Sequence, residues 1–374
     1  TEGPIGGNVR RKPDGSKEFM DNWKDIKGSL SCITNEKFRN DNSDSLNNKF
    51  KLNWFIMDFT GFSTNPKNRI AQYNDTYDNI KGLNTSIDSF HWHYHQPPIC
   101  GTGDMWSDDW DSSKEHYNIL GHRLMDRLDF PEAFRAGGTI EDNKCSLWLE
   151  NNFMIDYSNR VSHRSNRTDN IFDFNWFDAP DDWGYYHPDY KNLTKKGEMR
   201  RVIARSVDLE SRLHSLQQWQ VDESFIAAKK TKKPVLLSYF SHDHRDMVPE
   251  TKKAIKMIKD AESRYKVDFK WCDALEAIQI LMKNKPVKVK IGIDRVSKNK
   301  VKIFFDKEIF QKNPFVYTQD ANGKITYHEL DLIWVGNSPL YLQKCFLNIP
   351  KEAKKIGIAC TSMSGNKSLL VEEL

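Results

Sequence analysis

The chain lacks most of the features that would place it at a glance. None of its apolar runs approaches the ~20 residues that a membrane-crossing helix needs, so no span is expected. The six cysteines, at 32, 100, 145, 272, 345 and 360, form no C-x-x-C and no close pair. That excludes a zinc ribbon or a small disulfide scaffold and reads as free thiols of a reducing compartment. A charge excess is missing too. Lys+Arg is 56 against Asp+Glu 52, a formal +4, and without a dense basic stripe nucleic acid is not an expected partner. The short runs "AAKKTKK" and "MKNKPVKVK" read as solvated surface or linker. There is no internal repeat. The opening "TEGPIGGNVRRKPDG" contains no hydrophobic signal segment, which makes a cytoplasmic location the expectation.

Histidine is also scarce, 11 in 374 residues, and that makes its distribution informative. The stretch "SFHWHYHQPP" (89–98) places His91, His93 and His95 at alternate positions. Alternation of this kind reads as a β-strand, with the imidazoles on one face and Phe90, Trp92 and Tyr94 on the other. An aromatic face suits a buried sheet. Each imidazole brings polar atoms that need partners, and a metal or a polar pocket supplies them.

From about residue 50 to 284, short apolar strands alternate with amphipathic helices. Strands are predicted over 51–59, 86–95, 133–138, 153–158, 234–246 and 267–272. Helices are predicted over 114–128, 143–152, 197–219, 249–265 and 273–283. This alternation means α/β with a largely parallel sheet, read as a barrel or a distorted one. A chain of 374 residues is long for one core. After Pro286 the pattern changes to strands and turns, and Asn322-Gly323 signals a hairpin. Residues 1–285 are therefore read as one α/β domain and 286–374 as a small β-sandwich-like module. The module has no cluster of His, Cys or acidic residues, so its expected role is accessory or packing.

Ligands of parallel α/β sheets gather at the carboxyl ends of the strands. There the sequence offers Asp58, the three histidines, Arg135 with Gly137-Gly138, then Asp181, Asp182, Trp183 and His187, and finally His242, Asp243 and His244. Each has an ordinary explanation alone, as a cap, a surface pair or a satisfied polar residue. Their recurrence at successive strand ends points to one site. An aspartate with two histidines is also a suitable ligand set for a hydrolytic zinc ion.

The order of these elements, "DFTGFSTNPKNRIAQYN", "HWHYHQP", "FRAGG", "APDDWGYYHPDY" and "SHDHRDM", resembles the polysaccharide deacetylases, the carbohydrate esterase group that includes the chitooligosaccharide deacetylases. The likeness is to a branch associated with bacterial surface-polysaccharide biosynthesis and spans about residues 5 to 272. It implies a distorted (β/α) barrel for 1–285. It also implies a metal-dependent hydrolase that removes an acyl group, acetyl by expectation, from a sugar that is nucleotide- or lipid-linked. Asp58 and two histidines would hold a divalent ion, zinc by expectation. Strand alternation favours His93 with His95, whereas the family's H-x-x-x-H spacing favours His91 with His95. Arg135 would orient the catalytic carboxylate. Asp182-Trp183 would line the groove and support that arginine, with His187, Gly137 and Gly138 also at the substrate. His242 would protonate the leaving amine. The family's first motif has two adjacent aspartates and this chain has Met57-Asp58, so the base would be another carboxylate, Asp181 or Asp243. The alternative is a catalytically inactive deacetylase fold that binds carbohydrate or scaffolds a biosynthetic complex.

Overall fold

The structure is a computed structural model that describes residues 1, 3–4, 20, 22–57, 69–95, 114–161, 176–210, 215–335 and 342–374. It begins with two helices that the strand–helix reading had not assigned, α1 (Trp23–Thr34) and α2 (Glu36–Asp41). Each starts at an asparagine, Asn22 or Asn35, whose side chain accepts from the amide three residues on. The cap satisfies a donor that has no partner inside the helix. Ile26, Leu30 and Ile33 follow helical spacing and carry α1 into the core.

Next come β1 (Asn53–Met57), α3 (Arg69–Lys81), β2 (Ser89–Tyr94), α4 (Glu115–Arg127), β3 (Ala133–Ala136), α5 (Asn143–Asn152) and β4 (Ile155–Asn159). The four strands lie side by side and parallel, each returned to the same end by a helix, as parallel pairing requires. β5 (Tyr185–Tyr186) and β6 (Val202–Arg205) extend the sheet to the order β1-β2-β3-β4-β6-β5, with β5 antiparallel to β6. β7 (Val207–Asp208) and β8 (Tyr239–Phe240) form a separate parallel pair. Three more helices, α6 (Gln218–Thr231), α7 (Met247–Tyr265) and α8 (Ala274–Met282), complete this part. The architecture is thus mixed α/β around a mainly parallel sheet.

Three predicted elements are corrected. The strand expected over 234–246 is reduced to the two residues of β8. Among the described residues, the helix expected over 197–219 is replaced by β6 and β7, with helix from Gln218. Val202 to Asp208 is buried without interruption, the mark of a strand covered on both faces. Arg201 and Arg205 are buried and paired. The strand expected over 267–272 is extended chain without ladder bonds. Ser45 Oγ accepts from the Phe269 amide and the Asp44 carboxylate from the Trp271 amide, both at 2.8 Å.

The C-terminal strands are β9 (Ile291–Ser297), β10 (Lys300–Phe305), β11 (Phe315–Asp320), β12 (Ile325–His328), β13 (Ile333–Val335), β14 (Leu342–Asn348), β15 (Ala353–Thr361) and β16 (Lys367–Glu373). They pair antiparallel as two four-stranded sheets, β13-β14-β10-β9 and β12-β11-β15-β16. The Asn322-Gly323 turn joins β11 to β12, and Gly323 takes φ +82°, a conformation glycine enters without steric cost. Val316 and Ile358 share a cluster with Ile303 and Cys345 of the other sheet. Their neighbours Phe315, Tyr317 and Ala359 join the core around α4 instead. Each face of this sheet therefore has its own partner, an arrangement compatible with a sandwich-like module. The cysteines of the described residues are free thiols. Among the described residues no helix is long and apolar enough to cross a membrane.

Candidate active site

β2 sorts its side chains as the alternation predicts. Phe90, Trp92 and Tyr94 are buried in the main core, and the histidines take the other face. Register sets Met57 of β1 beside His93, and His93 beside Arg135 of β3, so the carboxyl ends of three strands meet. The structure brings His93 and His95 together, with their Nε2 atoms 3.0 Å apart. His93 Nδ1 lies 3.1 Å from the Arg135 carbonyl. A carbonyl only accepts, so this nitrogen carries the proton and Nε2 presents a lone pair. Gly137 makes room for the pair, since a Cβ there would sit 2.4 Å from His95 Cγ.

His91 shares the face but not the depth. It lies in the middle of β2, with its Nε2 2.8 Å from Ser89 Oγ and its ring 5.0 Å from that of Phe55. Ser89 donates to Asn53 Oδ1 and so accepts from His91. Burial, reinforced by the charges of Arg123 and Lys367, pushes the imidazole pKa down to about 3. His91 is a neutral ring in the floor of the sheet, apart from the His93–His95 pair.

The opposite wall is the segment 234–243. Val235, Leu237 and Tyr239 pack toward α6 and α7, while Leu236 packs toward β4 and α8. Phe240 also turns inward, and the Arg135 guanidinium lies 3.8 Å above its ring while donating to the Tyr157 carbonyl. These contacts fix the direction of Arg135. His93, His95, Arg135, Gly138, His242 and Asp243 all line one cavity of ≈ 870 Å³. Asp243 is buried, and its carboxylate accepts from the Gly3 amide at 3.1 Å.

Asp208 of β7 was not singled out in the sequence. Burial would raise its pKa, but His242 and Arg245 outweigh that and hold it below the usual carboxylate range. The Arg245 guanidinium donates to Asp208 at 3.1 Å and to Glu250 at 2.9 Å. Asp208 thus supplies the negative charge beside His242. The sequence signal was hidden inside the stretch read as a helix.

Other predicted residues lie elsewhere. Asp182 is exposed and pairs with Lys196 at 3.0 Å. Trp183 is buried under the Arg205 guanidinium, 4.0 Å from its ring, and donates to Glu223 at 3.2 Å. His187 Nδ1 faces the Met199 carbonyl at 2.8 Å. Asp181 offers its backbone carbonyl to Arg205. None of these four is among the cavity-lining residues described, so the loop that supports the mouth holds on to β6 and α6, and Asp182 does not reach Arg135. Asp58 lies outside the described residues.

His93 and His95 supply two of the donors that a zinc-type ion takes. Two imidazoles bound to one tetrahedral zinc place their nitrogens about 3.3 Å apart, close to the His93–His95 spacing. A carbonyl on the far nitrogen is the usual support for a ligating histidine. Among the described residues no group of three or more His, Cys, Asp or Glu surrounds one point. No protein-family model matches the chain, and no curated protein matches it.

Proposed function

We propose that this protein is a metal-dependent hydrolase that removes an acyl group from a sugar used in bacterial surface-polysaccharide assembly, on a distorted (β/α) barrel. The observation that carries the reading is the gathering of the His93–His95 pair, Arg135, His242 and Asp243 around one cavity. His93, His95 and Asp58 would hold the ion, and a bound zinc ion supplies a polarised carbonyl and a water of lowered pKa. Asp243 takes a proton from the attacking water, whose oxygen adds to the acyl carbon. Arg135, fixed over Phe240, orients that carboxylate. His242, with Asp208 beside it, delivers a proton to the leaving nitrogen or oxygen as the bond to the acyl carbon breaks. The products are a carboxylate and the free amine or alcohol.

The second reading is an inactive saccharide-binding relative. It is favoured by the placement of Asp182, Trp183 and His187 away from the cavity, and by the hydrogen bond that Asp243 already makes. The test is carboxylate release from N-acyl and O-acyl sugars, both nucleotide- and lipid-linked, by wild type and His242→Ala. The enzyme reading expects release by wild type and a loss of 10²–10⁴-fold in the variant, with saccharide binding kept. Saccharide binding without release by wild type would establish the inactive reading instead.

A further inference from the structure

The cavity does not end at the mouth residues. Its lining includes Phe50 to Phe55, Pro234 to Asp243, and Cys272, Ala277 and Leu281. At the rise of a strand, Phe50 to Phe55 alone spans roughly 17 Å. Folded interiors hold few voids larger than a water molecule, so an open space of ≈ 870 Å³ continuous with the candidate site is a place for a ligand. Phe55, Leu236, Leu237 and Leu281 keep part of their surface uncovered there.

The polar atoms of the walls say which chemistry fits. Ser238 Oγ donates to Ser206 Oγ at 3.0 Å, Ser224 Oγ to the Val221 carbonyl at 2.7 Å, and Ser241 to the Glu250 carboxylate. These hydroxyl protons are engaged within the protein. Along this serine-bearing stretch a sugar would bury hydroxyls where these three donors are already engaged, whereas a hydrocarbon chain beside Phe55, Leu236, Leu237 and Leu281 needs no such partners.

We infer that this cavity seats the acyl chain, so that the group removed is a long unbranched acyl group and the sugar stays at the mouth. This rests on the acyl-hydrolase reading. The experiment measures calorimetric affinity of the full chain for N-acetyl-, N-butanoyl-, N-octanoyl- and N-dodecanoyl-glucosamine, and carboxylate release from each. Affinity is expected to rise by roughly fourfold per buried methylene until the cavity is filled. Ala277→Phe and Leu236→Trp, each checked for native fold by circular dichroism, are expected to flatten that dependence for the longer chains. Equal affinity for all four sugars, or an unchanged dependence in both folded variants, would overturn the inference. Acetyl release without chain-length dependence leaves the hydrolase reading standing and removes the acyl seat. Chain-length-dependent binding without any release keeps the seat and removes the hydrolase.

Discussion

Asp129 gathers charge at the foot of the sheet. Its carboxylate accepts from Arg123 at 2.8 Å and pairs with Lys367 of β16, while Arg123 also donates to the His91 carbonyl at 2.9 Å. Burial would raise the Asp129 pKa, but Arg123 and Lys367 hold it well below the usual carboxylate value. A carboxylate depressed in this way contributes stability that is complete above its ordinary pKa and is lost as pH falls through the lowered folded value. Asp129→Asn is expected to cost about 3 kcal/mol at neutral pH. In urea titrations its gap to wild type should shrink as the pH drops below the ordinary carboxylate range, and a gap independent of pH would contradict the assignment. At this scale the sequence was partly legible. Alternation gave the face that His91, His93 and His95 share, but not depth along the strand, which separates His91 from the other two. Asp208 was invisible because its place beside His242 depends on the pairing of β7 with β8, and nothing local announces that pairing.

Arg201 shows why one element was misread. It stands just before β6, fully buried, with one nitrogen 2.9 Å from Asp156 of β4 and another on Glu141. Burial, together with the neighbouring Asp156 carboxylate, outweighs Arg201 and raises the Glu141 pKa well above its ordinary value. The cluster reaches the site, because Ser158 bridges Asp156 to the Ala136 amide, next to the glycine that makes room for His95. A charged residue before an apolar run looks like the polar stripe of a helix, and only the tertiary partners make it a buried strand end. Arg201→Met is expected to cost about 3–5 kcal/mol in urea unfolding, since it strands two buried carboxylates. A cost below about 1 kcal/mol, typical of exposed pairs, would show that the cluster carries no such load. Several other elements were read closely from sequence. The helix read at 143–152 matches α5, β1 and β2 fall inside their predicted ranges, and β4 ends one residue beyond its own.

Across the molecule, the sheet β12-β11-β15-β16 shares a core with the α/β part. Phe315 and Tyr317 lie in one cluster with Leu120, Leu124, Phe130 and Phe153. The Tyr117 and Tyr327 rings stack with centroids 4.1 Å apart, and a Cβ on Gly121 would sit 2.7 Å from the Tyr317 ring. The change of sequence pattern at Pro286 located the β-rich part, but a shared core leaves no compositional trace. A fragment of residues 1–285 would expose the α4 face, and it is expected to lose near-ultraviolet circular dichroism and bind a hydrophobic dye. Cooperative unfolding of that fragment at the melting temperature of the full chain would contradict the shared core.

The claim on which the functional account turns is that His93 and His95 together hold a metal ion. Its most direct test is metal content per chain, measured by elemental analysis on full-length protein prepared without chelator. The account expects close to one zinc-type ion in wild type and in His91→Gln, and loss of that ion in both His93→Ala and His95→Ala while the fold is kept. Wild-type protein without bound metal, or metal retained in both alanine variants, would contradict it.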